Sequence, residues 1–128
     1  LDTDQFVLWR AVLEAIAYDY MAITDTYRAA GIGINRITIT EGGSRDDLWN
    51  QIKADVMQAD AITLEVSGGA VLTNCVIAAY ATGAATDLKQ VLMDNMKVIR
   101  QYQPDPDKAD FYRQQSQKQQ LLLKKLSC

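Results

Sequence analysis

The residues best placed to do chemistry are Thr38-Ile39-Thr40-Glu41-Gly42-Gly43-Ser44-Arg45-Asp46-Asp47-Leu48-Trp49, where a Gly-Gly turn separates an extended run from a helical one. Such a turn lets bare backbone amides approach a phosphate or a purine ring at the carboxyl end of a strand. It matches neither the Gly-Lys-Ser/Thr phosphate loop nor the Gly-x-Gly-x-x-Gly fingerprint. Glycine also serves a turn that needs unusual dihedrals and binds nothing. The sequence has no histidine, which removes Ser-His-Asp and Cys-His nucleophiles, His-ligated zinc and imidazole bases. Remaining chemistry rests on carboxylates, Lys, Arg and backbone amides. Cys75 and Cys128 form no metal-ligand spacing. Asp55 and Glu65 read as single surface or capping carboxylates, Arg45 as solvated, and no catalytic residue or metal ligand is assigned.

The elements around the turn follow from periodicity. Phe6, Trp9, Val12, Leu13, Ile16, Tyr20, Ile23 and Tyr27 recur at steps of three and four, predicting an amphipathic helix over 5–30. Asp2, Thr3 or Asp4 can cap it, and Gly31 ends it. Arg36 to Thr40 alternates with period two, and Leu48, Trp49, Ile52, Val56 and Ala59 return to helical spacing after a Ser44 or Asp46 cap. Ala61 to Val66 reads as a second strand, so 36–66 is a βαβ unit with parallel strands. After Ser67-Gly68-Gly69, helices are predicted over 68–82, 88–101 and 107–126, the second capped by Asp87 and stopped at Pro104-Asp105-Pro106. The helix over 68–82 is expected to bury Leu72, Cys75, Val76, Ala79 and Tyr80. Trp9, Trp49, Tyr18, Tyr20 and Tyr80 are expected in the core. Two strands make a small sheet for such a chain, which points to an α/β sheet left incomplete.

Thirteen Lys and Arg against 16 Asp and Glu leave a net charge of -3, which offers no footprint for nucleic acid. No run approaches the ~20 apolar residues of a membrane span, and the start lacks a signal-peptide layout. Cysteine use fits a reducing cytoplasm. A chain opening on Leu1 is expected to be a processed product or an excised piece.

Glu41 to Val56 closely resembles the Gly-Gly-Gly-Ala-x-Ser-x-Leu-Trp-x-Gln-Ile-x-Ala-Asp-Val segment of the FGGY family of carbohydrate kinases, in its xylulokinase-like branch. Arg10-Ala11-Val12-Leu13-Glu14-Ala15-Ile16-Ala17-Tyr18 is similar to the family's Arg-Ala-x-Leu-Glu-Gly-Ile-Ala-Phe helix. Ala70 to Tyr80 resembles its Ala-x-Leu-Gly-x-Ala-x-x-Ala-Ala helix, and Tyr102-Gln103-Pro104-Asp105-Pro106 its late Tyr/Phe-x-Pro-Asp segment. The resemblance runs from about residue 5 to residue 112.

The resemblance implies the C-terminal part of an actin-like (ribonuclease H-like) ATPase domain, in an enzyme that passes the γ-phosphoryl group of MgATP to a ketose or polyol hydroxyl. The family's catalytic Asp and phosphate-contacting Gly-Thr motifs precede this segment, so the fragment alone is expected to bind rather than catalyse. Gly42 and Gly43 match the glycines that approach the α-phosphate and ribose. With Ser44 they form the implied cofactor-binding turn, and either Asp46 or Asp47 falls where the family faces the adenine. Glu41 departs from a frequent glycine, Asp46 from a common Ser, and Thr73-Asn74 from a Gly-Ala pair. The implied cofactors are ATP and Mg²⁺; the implied partners are the sugar and the N-terminal remainder of the kinase. A rival reading is a non-catalytic actin-like half that binds or self-associates through an exposed sheet edge or helix faces.

Overall fold

A computed structural model describes residues 3–40, 42–65 and 69–126. The expectations for Asp2, Glu41, Val66, Ser67, Gly68 and Cys128 lie outside these residues. Helix α1 (Gln5–Ala29) leads through β1 (Arg36–Ile39) and a 3-10 turn (Gly42–Ser44) to α2 (Asp47–Met57) and β2 (Asp60–Leu64). Then follow α3 (Gly69–Ala81), α4 (Leu88–Asn95), β3 (Val98–Tyr102), a second 3-10 turn (Pro106–Lys108) and α5 (Ala109–Leu126). The sheet has the order β1-β2-β3. Strands β1 and β2 are parallel, Arg36 beside Asp60 and Ile39 beside Thr63, as the βαβ reading requires.

Local chemistry accounts for the ends of these elements. The Asp4 carboxylate caps α1 by accepting from the N–H groups of Phe6 and Val7 at 2.9 Å. Gly31 turns the chain away with φ +81°, a value glycine tolerates and other residues resist. Arg28 then ties the end of α1 to the end of α2, donating to the carbonyls of Ile34 at 3.0 Å and Met57 at 2.8 Å. The main core lies where α1, α2 and α5 meet, built from Leu13, Ala17, Tyr18, Met21, Ile52, Val56 and Tyr112, with Trp49 packed against it. A smaller cluster of Ile39, Ala54 and Ala61, flanked by Ile37 and Tyr102, joins α2 to the sheet.

Three expectations are corrected. The helix predicted over 88–101 ends at Asn95, and Val98–Tyr102 is a third strand, antiparallel to β2 with Tyr102 beside Ala61 and Arg100 beside Thr63. Apolar spacing continues across the break, but β2 offers an open hydrogen-bonding edge, and Arg100 and Tyr102 find partners on α2 that a helix would deny them. The buried face of α1 is also rotated from the predicted stripe. Leu13, Ala17, Tyr18, Met21 and Thr24 are covered, whereas Trp9, Tyr20 and most of the other stripe residues are exposed by 40% to 72%. In α3 only Val76 is buried, so Cys75 and Tyr80 lie on the surface rather than in the core. Among the described residues these helices leave much apolar surface uncovered.

Candidate nucleotide-facing turn

The turn is fastened from three sides. Asp46 caps α2, its carboxylate accepting from the Trp49 N–H at 2.7 Å. Asn50, fully buried one turn later, donates from Nδ2 to the Ser44 carbonyl at 2.8 Å and to the Tyr102 hydroxyl at 3.3 Å. The Tyr102 hydroxyl in turn donates to Asp47 Oδ1 at 2.6 Å, and Arg100 pairs with the same oxygen. These two bonds, Tyr102 first, hold the Asp47 carboxyl below the ordinary carboxylate range. The third fastening is Lys53, whose Nζ donates to the Gly43 carbonyl at 3.2 Å and lies 4.4 Å from the centre of the Trp49 ring.

The dihedral reason for the two glycines does not hold. Positive φ among the described glycines occurs at Gly31 and Gly83, not at Gly42 or Gly43. A Cβ added to Gly42 would meet nothing within 4 Å; one added to Gly43 would make ordinary contacts of 3.6 Å with Lys53 Nζ and Trp49 Nε1. Neither the backbone nor the neighbours demand glycine here. What the missing side chains supply is an uncovered stretch of main chain at the carboxyl end of β1, before the N-terminus of an 11-residue helix.

The expected site residues therefore come together, in different states. Gly42 and Gly43 are exposed, Ser44 is half-buried, Asp46 and Asp47 are engaged in capping and pairing, and Arg45 is exposed. Thr73 and Asn74 sit in α3, where the Thr73 hydroxyl donates to the Gly69 carbonyl at 2.6 Å. Composition and spacing left three participants unread: Asn50, Lys53 and Arg100. Each works through a contact distant in sequence or a carbonyl that no side-chain pattern reveals.

Asp55 is a further correction. Instead of a surface group it is 2% exposed, accepting from Gln51 Nε2 at 2.7 Å, from the Asp105 N–H at 2.9 Å and from Lys108 Nζ at 3.0 Å. Its role is to seat the corner after β3 against α2, away from the glycine turn.

A family model for the C-terminal domain of the FGGY family of carbohydrate kinases matches residues 2–82. The chain belongs to this family. It is 29% identical over 105 residues to the xylulose kinase of Staphylococcus epidermidis, covering 82% of this chain and 21% of that protein. Over 108 residues it is 29% identical to a gluconokinase of Bacillus licheniformis, covering 81% and 20%. The crystal structure of xylulose kinase from Rhodospirillum rubrum superimposes with a TM-score of 0.77 at 27% identity, over 99% of this chain and 26% of that one. Gluconate kinase from Lactobacillus acidophilus shares the fold at a TM-score of 0.79 and 20% identity. This FGGY chain is thus α/β, part of an actin-like ATPase domain with an incomplete sheet, and it spans about a fifth of the length of the curated relatives it matches.

Proposed function

We propose that these residues are the nucleotide-facing C-terminal portion of an ATP-dependent carbohydrate kinase that phosphorylates a hydroxyl of a ketose or polyol. The observation that carries this reading is the bare Gly42-Gly43 backbone, glycine at two positions where neither dihedral angle nor packing requires it. Gly42, Gly43 and Ser44 lie along the ribose and α-phosphate. Asp46, which caps α2, and Asp47, which pairs with Tyr102 and Arg100, stand at the adenine side of the turn. Family membership supports ATP as the phosphoryl donor and a sugar as the acceptor.

Phosphoryl transfer depends mainly on positioning, on charge neutralisation and on a base for the acceptor hydroxyl. The described residues contribute the first of these. The magnesium that travels with ATP would neutralise phosphate charge; among the described residues no group of three or more His, Cys, Asp or Glu could hold a metal ion. The catalytic base and the sugar contacts are assigned to the preceding part of the kinase, and the reaction to the cytoplasm. No described helix is long and apolar enough to cross a membrane.

The test is a nucleotide titration of the kinase chain that carries these residues, wild type against Gly43→Val. An affinity loss of tenfold or more at unchanged melting temperature is expected; equal affinity with full stability would remove the turn from the site. The exposed α1 stripe and the unpaired edge of β1 favour one other reading, a non-catalytic half that binds a partner or a second copy there. A native chain of this length that sediments as a dimer and binds no nucleotide would select it.

A further inference from the structure

We propose that Lys53 is a positioning residue for the nucleotide, its ammonium setting the plane of the Gly43–Ser44 peptide from inside the protein. The inference rests on the nucleotide reading of the turn and names the group that holds that turn in shape. Lys53 is 6% exposed and sits on α2 three residues after Asn50. Its Nζ has the Gly43 carbonyl at 3.2 Å, Asn50 Oδ1 at 3.5 Å and the Trp49 ring at 4.4 Å. Among the described residues no carboxylate forms an ion pair with it, and the charge of Asp46 acts on it from a distance.

A buried ammonium without a counter-ion is costly, and a Met or Leu at this place would fill the space without that penalty. The compensation is one carbonyl, one amide oxygen and one aromatic face, and the carbonyl belongs to the turn. The amide plane of a peptide is rigid, so holding the Gly43 oxygen inward fixes the orientation of the whole Gly43–Ser44 unit. A neutral side chain would leave that oxygen without its charged donor and allow the turn to rotate. Asn50 restrains the Ser44 carbonyl at 2.8 Å, so two consecutive peptides of the turn are gripped by adjacent faces of one helix.

Protonation enters because burial brings the Lys53 pKa down to about 8, with Asp46 opposing the shift. Of the other residues lining the cavity of about 460 Å³ that Lys53 shares with Gly43, Tyr20 on α1 is titratable, β1 contributes only Ile37, Thr38 and Ile39, and Thr40 follows the strand. The grip therefore relaxes as the pH rises through about 8.

The experiment measures ADP affinity from pH 7 to 9.5 in the kinase chain that carries these residues, as wild type, Lys53→Met and Lys53→Gln, with the Trp49 emission taken as the difference between each form and its Trp49→Phe counterpart. Wild-type affinity is expected to fall severalfold with a midpoint near that of the Trp49 signal. Lys53→Met is expected to bind about tenfold more weakly than wild type at pH 7, with a flat profile. Wild-type affinity that stays level while Trp49 titrates overturns the inference, whether or not the variants fold, and so does a variant with wild-type affinity and profile. A wild type that binds no ADP at any pH instead overturns the nucleotide reading on which the inference stands.

Discussion

Asp55 and Lys108, 53 positions apart in sequence, meet at 3.0 Å where the C-terminal half of α2 faces the corner after β3. The Asp55 carboxylate is buried, and it also accepts from Gln51 and from the Asp105 N–H. Removing one partner of such a group leaves the others without an acceptor. Asp55→Ala is expected to destabilise the protein by about 2–3 kcal/mol, read as a shift in the midpoint of urea unfolding. An effect under about 0.5 kcal/mol, the range of ordinary surface changes, would mean that the corner is seated by its apolar contacts alone.

Lys53 gives a pH dependence of opposite sense from that of an ion pair. Its pKa falls from 10.5 in the unfolded chain to about 8 in the folded one, so the folded state releases the proton first. Folding is penalised while the amine is charged, and the penalty fades as the pH rises from about 8 to 10.5. Lys53→Met is therefore expected to be more stable than wild type at pH 7, by at most about 3 kcal/mol, with the gap closing towards pH 10. A gap that widens with pH would show that the ammonium stabilises the fold.

Asp47 responds at the other end of the scale. Tyr102 and Arg100 depress its pKa, so its stabilising contribution is present above the unfolded value of 3.8 and is lost as the pH falls through the lower folded value. In Tyr102→Phe the Asp47 titration, followed by carboxyl NMR, is expected to move up towards 3.8. An unchanged midpoint would assign the shift to Arg100 alone.

Gly42→Ala separates folding from binding. With ordinary φ and open space around the added methyl group, the substitution is expected to leave stability unchanged or raise it by up to about 1 kcal/mol through the unfolded state. ADP affinity in the same variant is expected to fall. A loss of stability would restore a conformational reason for glycine at this position.

The sequence was most informative where periodicity and local capping act together. The extent of α1, the Asp4, Asp46 and Asp87 caps and the strands β1 and β2 all follow from neighbours within a few residues, whereas which face of α1 is buried does not. It was least informative where a distant partner decides. Val98–Tyr102 carries apolar residues at spacings that suit helix or strand, and only the open edge of β2, more than thirty residues earlier, makes it a strand. Asp55 gave no sign of burial because its partners Asp105 and Lys108 lie some fifty positions away. The glycine turn was legible as a turn, whereas Lys53 looked like one more charged helix residue. Its role depends on a carbonyl ten positions back.

The antiparallel pairing of β2 with β3 also bears on the order in which the protein is made. As the polypeptide leaves the ribosome, α1, β1, α2 and β2 emerge first, while residues 98–108 that cover the β2 edge and neutralise Asp55 follow more than thirty positions later. For that interval a nascent chain presents a bare strand edge beside an uncovered apolar face, the kind of surface that chaperones bind and that aggregates form on. Synthesis stalled before Val98 would yield a polypeptide whose glycine turn lacks its Tyr102 and Arg100 fastenings and whose β2 edge has no antiparallel strand to cover it.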